Sequence, residues 1–121
     1  MKFLKFMREK IMSETKWVGV CFEEDLFEDT GVCAKVNDKQ VAIFKSRRLG
    51  QVFAISNYDP VGEANVLSRG ILGSIGDAVV VASPLYKEHF NLATGECLEK
   101  PEYKVDVFPV RIEQGQVQVQ I

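Results

Sequence analysis

The sequence predicts an all-β domain, and three observations carry that reading. Apolar and polar residues alternate with a period of two, most cleanly in Val117-Gln118-Val119-Gln120-Ile121. Turn chemistry recurs at regular intervals between these runs. No segment before Asn57 holds a helical period, and Gly70, Gly73 and Gly76 break any helix between Ala64 and Asp77.

Taken in order, Lys16 to Cys21 alternates around Trp17 and reads as the first strand. Phe22 to Gly31 is acidic and ends in a turn signal, with Leu26 and Phe27 expected to pin it to the core. Val32 to Val36 alternates, Asn37-Asp38-Lys39 supplies hairpin-turn residues, and Val41 to Phe44 returns. Arg48-Leu49-Gly50-Gln51 turns again and Val52 to Ile55 runs out, completing a three-stranded meander. Asn57-Tyr58-Asp59-Pro60 favours a loop, and Pro60 biases Asp59 away from helix. The glycine-rich stretch Ala64 to Asp77 is expected to hold a short strand and turn at most. Val79 to Cys97 reads as strand, loop, strand, with Lys87-Glu88-His89 at the loop and Thr94-Gly95 at the closing turn. Val105 to Ile112 alternates, Pro109 within it marks an edge or a bulge, and Gln114-Gly115-Gln116 turns into the final strand. The sum is a small antiparallel sandwich or barrel of about eight to ten strands.

At 121 residues the chain is the size of one domain. A formal net charge of -2 argues against a nucleic-acid footprint, and the one basic cluster, Lys45-Ser46-Arg47-Arg48, reads as a solvated turn. No apolar run approaches the roughly 20 residues that span a bilayer. Phe3, Leu4, Met7 and Ile11 fit one face of a short helix, but Met12 offers a second start, so residues 1–15 are expected to be a flexible extension ahead of a domain over 16–121. Neither a membrane nor a secretory signal is expected from it, since no small-x-small cleavage site follows. Cys21, Cys33 and Cys97 form no C-x-x-C pair, which argues against a disulfide framework or zinc ribbon and favours the cytoplasm. Cys21 and Cys33 sit in apolar strand contexts and read as small core hydrophobes.

The chain holds a single histidine, His89, so any Ser-His-Asp or Cys-His triad would rest on it. Ser83 and Cys97 are the nearest nucleophiles, and neither lies in a nucleophile-elbow glycine pattern. No phosphate-binding glycine loop is present. No catalytic residue is therefore assigned. Glu23-Glu24-Asp25 and Glu28-Asp29 read as a solvated acidic face.

Two loops remain, Asn57-Tyr58-Asp59 and Ser83-Pro84-Leu85-Tyr86, and their framing resembles a Rieske domain. In that family one loop carries C-x-H and a later one C-x-x-H, and Phe90-Asn91-Leu92-Ala93-Thr94-Gly95-Glu96-Cys97 is similar to the F-D-x-x-T-G-x-C stretch that follows. Asn57 and Asp59 then fall at the first Cys and His, and Ser83 and Tyr86 at the second pair. A Rieske [2Fe–2S] centre needs two Cys and two His, and all four are replaced. The blocks Asn57-x-Asp59-Pro60, Ala64 to Ile71 and Ala82 to Lys87 with Phe90 and Thr94-Gly95 resemble one cluster-less branch, the small subunits of cytoplasmic NAD(P)H-dependent nitrite reductases, over Lys16 to Ile121. The resemblance implies a Rieske-like fold without a cofactor or metal of its own. It implies a large-subunit partner carrying FAD, an iron–sulfur cluster and sirohaem, which reduces nitrite to ammonia.

The loops would then be contact surfaces, with Lys87 and His89 as exposed contacts and Pro84 and Tyr86 as apolar anchors. Arg69 could pair with a carboxylate of the partner or with Asp59. For Asn57, Asp59 and Arg69 loop packing and partner contact are equally open, while Tyr86 is favoured for packing. The alternatives are a Rieske-type ferredoxin that carries electrons and a free-standing binding domain.

Overall fold

The computed structural model describes residues 16–121, and the extension at 1–15 lies outside the described residues. Among the described residues twelve strands form, more than the eight to ten expected from sequence. The main body pairs two sheets. One has the order β1-β12-β11, from Trp17–Phe22, Gln116–Gln120 and Val110–Glu113. The other has the order β10-β4-β3-β2, from Val107–Phe108, Val52–Ser56, Lys39–Lys45 and Gly31–Val36. A three-stranded sheet, β7-β8-β9, comes from Ile71–Ile75, Ala78–Ala82 and His89–Asn91, and a two-stranded ribbon joins β5 (Tyr58–Asp59) to β6 (Ala64–Asn65).

Strand β3 organises this arrangement. Its run Val41-Ala42-Ile43-Phe44 is fully buried on both faces, as a continuous apolar run in a central strand should be. Val41 and Ile43 face a core with Leu26, Val36, Ala54, Val117 and Val119, which fills the space between the two main sheets. Ala42 and Phe44 face a second core with Ile55, Leu67, Val81, Phe90 and Leu92, which seats the β7-β8-β9 sheet. One strand therefore holds two layers together.

The hairpins follow their turn residues. Asn37 and Asp38 both adopt positive φ in the two-residue β2–β3 turn, the geometry that asparagine and aspartate tolerate best. Gln114 and Gly115 do the same between β11 and β12. Pro109 sits where the chain leaves β10, paired to β4, and enters β11, paired to β12. Both strands are sheet edges, as a proline requires.

Several expectations change. Ala64 to Asp77 holds β6, a 3₁₀ turn at Leu67–Arg69 and the full strand β7, because Gly70 lies where chains pass closely, Gly76 turns, and Gly73 is carried within the strand by pairing with Val80. Leu26 is buried, but Phe27 is 70% exposed, so one residue and not two pins the acidic segment. Cys33 is exposed and Cys97 is the buried cysteine, since β2 is an edge strand whereas Cys97 bridges to Phe90 inside the second core. Val105 to Ile112 is interrupted, with buried Val105 donating its amide to Gly95 outside any strand. The basic turn is partly tied down, with Ser46 buried and the Arg47 amide donating to Asp29 Oδ1 at 3.0 Å.

Phe90→Ala, at the centre of the second core, is expected to cost about 3–5 kcal/mol in urea denaturation. Phe27→Ala should stay within about 0.5 kcal/mol of the unmodified chain, because its ring is largely in water.

Candidate functional site

The two loops that the sequence singled out meet at one end of the β7-β8-β9 sheet. Asp59 ends β5 and is fully buried. Its Oδ1 accepts the backbone amides of Val61 at 2.8 Å and Gly62 at 3.1 Å, the local bonding that an Asp-Pro-x-Gly turn offers. Its Oδ2 accepts the hydroxyl of Ser83 at 2.5 Å, directly across the gap between the loops. Ser83 is itself buried, and its Oγ takes the Leu85 amide at 3.2 Å. Within the second loop the Ser83 amide donates to Glu88 O and the Lys87 amide to Ser83 O. Lys87 adopts φ +66 to close that turn.

Gly62 shows how tightly the loops approach. A Cβ built there would lie 2.5 Å from Leu85 Cδ1 and 3.1 Å from Asp59 Oδ2, so a side chain would displace that of Leu85 and crowd the buried carboxylate.

Asn57 belongs to a separate buried network. Its Oδ1 accepts the Ser68 amide at 2.6 Å, and its Nδ2 donates to Gln40 Oε1 at 2.9 Å and contacts Cys33 Sγ at 3.5 Å. The side chain thus ties the 3₁₀ turn to the β2–β3 hairpin. Gln40 and Cys33 were not singled out from the sequence, because nothing local to either marks a partner 17 or 24 residues away.

The remaining residues lie outside these networks. Pro84, Tyr86 and Lys87 are exposed at the loop tip, Tyr86 by 66%, and Leu85 joins them. Arg69 is exposed on the neighbouring 3₁₀ turn and is absent from the hydrogen bonds of Asp59, whose two oxygens are taken by Val61, Gly62 and Ser83. His89 opens β9, and Glu99 grips it twice. Glu99 Oε1 accepts the His89 amide at 2.8 Å, and Oε2 lies 2.6 Å from the ring Nδ1. Burial of Glu99 works against ionisation, but the hydrogen bonds from the His89 amide and ring outweigh it and hold the carboxyl below its ordinary value. Beside this pair Lys100 Nζ lies 3.6 Å from Glu88 Oε2. Burial pushes the Cys97 thiol up, leaving it a poor nucleophile.

These donors do not fit an iron–sulfur cluster. A [2Fe–2S] centre of the Rieske type takes two thiolates and two imidazoles. The positions that the resemblance sets at the ligands, Asn57, Asp59, Ser83 and Tyr86, offer a carboxamide, a carboxylate, a hydroxyl and a phenol, and the Asp59 and Ser83 oxygens already bond each other. Among the described residues no group of three or more His, Cys, Asp or Glu side chains could hold a metal ion.

The comparisons with known proteins agree with this geometry. The family described as "Rieske-like [2Fe-2S] domain" matches residues 16–120. The nitrite reductase (NADH) small subunit of Escherichia coli K12 is 43% identical over 105 residues, 87% of this chain and 97% of that protein. This chain is a nitrite reductase small-subunit family member with a Rieske-like domain. The solved structure of the E. coli protein NirD superposes on this family member with a TM-score of 0.81 at 42% identity, covering 88% of this chain and 97% of that one. A nitrite reductase [NAD(P)H] large subunit from Klebsiella oxytoca is 38% identical over 92% of this chain but only 11% of its own length. The ferredoxin component of a naphthalene 1,2-dioxygenase/salicylate 5-hydroxylase system from Ralstonia sp is more distant, at 28% over 87% of this chain and 95% of that protein. Among the described residues no helix is long and apolar enough to cross a membrane.

Ser83→Ala would leave Asp59 Oδ2 buried without its donor, and the expected loss is about 1–3 kcal/mol in chemical denaturation. The lowered Glu99 pKa gives a second expectation. The stability it contributes is fully present above the ordinary glutamate value and is lost as pH falls through the lowered folded value. Denaturation of the Glu99→Gln variant, followed from neutral pH downward, should show a shallower loss across that acidic window than the unmodified chain shows.

Proposed function

We propose that this chain is the non-catalytic small subunit of a cytoplasmic NAD(P)H-dependent nitrite reductase. It docks on a large subunit that carries FAD, an iron–sulfur cluster and sirohaem and reduces nitrite to ammonia. One observation carries the reading most directly. A segment 38% identical to this chain lies inside the Klebsiella large subunit, so the same kind of domain works there at the high effective concentration of a covalent link. The chemistry of the loops supports it, since a domain whose ligand positions hold Asn57, Asp59, Ser83 and Tyr86 has no group with which to relay an electron.

Docking uses the loop tip. Pro84 and Tyr86 supply apolar anchors, Lys87 and Arg69 supply exposed cations, and His89 stands at the base of the loop. The buried Asp59–Ser83 bond keeps the tip in one shape before the partner arrives, which lowers the ordering cost of association. The two loops thereby act as a preformed contact surface. A Rieske-type ferredoxin is the second reading, favoured by the Ralstonia relative and opposed by the donor set.

Co-expression with a nitrite reductase large subunit tests the proposal. The two chains should co-purify, and nitrite-dependent NAD(P)H oxidation should rise over that of the large subunit alone. Tyr86→Ala should weaken the association by about tenfold or more. Stoichiometric iron and acid-labile sulfide in the purified chain would favour the ferredoxin. A colourless, folded chain that neither binds the large subunit nor alters its turnover would leave a free-standing binding domain.

A further inference from the structure

We infer that Glu99 locks the His89 ring as the Nδ1–H tautomer, and that the bare Nε2 is the acceptor by which this chain recognises an uncharged O–H or N–H donor on the large subunit. The partner rests on the function proposed above, whereas the tautomer stands on the clamp alone.

Both oxygens of Glu99 are directed at His89. Oε1 accepts the His89 amide at 2.8 Å, and Oε2 lies 2.6 Å from Nδ1. Burial of Glu99 works against ionisation, but the His89 hydrogen bonds favour it more strongly, and the carboxyl is ionised at neutral pH. An ionised carboxylate only accepts, so the short contact requires the proton on Nδ1. A neutral imidazole carries one N–H, which leaves Nε2 with its lone pair. The connector cannot drift from the ring, because the Leu98 amide donates to His89 O at 2.9 Å and Cys97 bridges to Phe90.

Nε2 faces outward. It makes no hydrogen bond among the described residues, and the one buried side-chain nitrogen or oxygen there without a partner is Glu88 Oε1. Nε2 therefore reaches solvent, at the base of the loop that carries Pro84, Tyr86 and Lys87. A ring already fixed in direction and tautomer gives up little freedom when a partner group bonds it.

The charges around the ring balance. Lys87 and Glu88 precede it, Glu99 and Lys100 belong to the connector, and Lys100 Nζ lies 3.6 Å from Glu88 Oε2. Ala82, its pair on β8, carries no charge, and burial keeps Cys97 a neutral thiol. Arg69 precedes β7, two strands away. Two cations and two carboxylates leave no net charge to draw an ion, so the complement of Nε2 is an uncharged donor. A partner carboxylate would meet a lone pair and be repelled until the ring took a second proton.

Glu99→Gln inverts the lock. The His89 amide can only donate, so the oxygen of the new side chain must stay on it and its NH₂ must turn to Nδ1. Nδ1 then accepts, and the ring proton moves to Nε2, which becomes a donor.

Nitrogen-15 spectra of the full chain at neutral pH read the tautomer directly. They should show Nδ1 protonated and Nε2 bare, and the reverse in Glu99→Gln. Calorimetric titration with the large subunit reads the recognition. Glu99→Gln should weaken association about tenfold or more. Association of the unmodified chain should fall in step with uptake of the second ring proton, followed in the same spectra as pH is lowered. His89→Phe should weaken association similarly and remove that pH step. An Nε2–H tautomer in the unmodified chain overturns the inference. So does association that strengthens as the ring is protonated, or a complex indifferent to both protonation and Glu99→Gln, and in each case the function above stands. A chain that binds no large subunit at any pH overturns that function and the recognition together. The unmodified chain supplies both the tautomer and the pH step, so a Glu99→Gln variant that failed to fold would leave the test in force.

Discussion

The hydrogen bond between Ser83 and Asp59 is the constraint on which the functional end of the molecule depends. It joins two loops far apart in sequence, it is wholly buried, and the other oxygen of its acceptor carboxylate takes the Val61 and Gly62 amides. A buried carboxylate with both oxygens hydrogen-bonded is tolerated, whereas one left short of a donor is costly. Gly62 then lets Leu85 close over the joint, and the exposed tip of Pro84, Tyr86 and Lys87 is held from beneath. In Rieske-like geometry a cluster would bridge the same loops. Here two side chains do so with ordinary hydrogen-bond chemistry.

Behind that joint stands β3. Because Val41 and Ile43 enter one core and Ala42 and Phe44 the other, neither layer has an interior without this strand. The two cores therefore share a central wall, which favours one cooperative unfolding transition over separate melting of the loop-bearing sheet. The Asn57 network reinforces the coupling from the side by bonding the 3₁₀ turn to Gln40 at the start of β3.

The strands with an uninterrupted period of two were legible in the sequence, and so were the hairpin turns at Asn37-Asp38 and Gln114-Gly115, because both are local properties. That one histidine is too few for a Rieske ligand set was legible from the sequence itself. What the sequence did not reveal was non-local. Strand β7 was obscured by Gly70, which serves a close approach, Gly76, which turns, and Gly73 within the strand itself, and Phe27 looked buried because hydropathy does not record which way an edge segment faces. The pairing of Ser83 with Asp59, and of Asn57 with Gln40 and Cys33, needed the loops to be brought together first. Glu99 likewise became visible as the clamp on His89 only once the connector after Cys97 had been folded back onto β9.

That clamp has a practical consequence. The chain owns one imidazole, and it sits half-exposed at the base of the loop tip, with Glu99 fixing its ring. Its C–H resonances are therefore unique in a proton spectrum and need no isotopic editing to be assigned. Any molecule that settles on the tip, or any disturbance of the joint beneath it, must register in that single pair of signals. The fold carries its own spectroscopic reporter beside the loop tip and the joint beneath it.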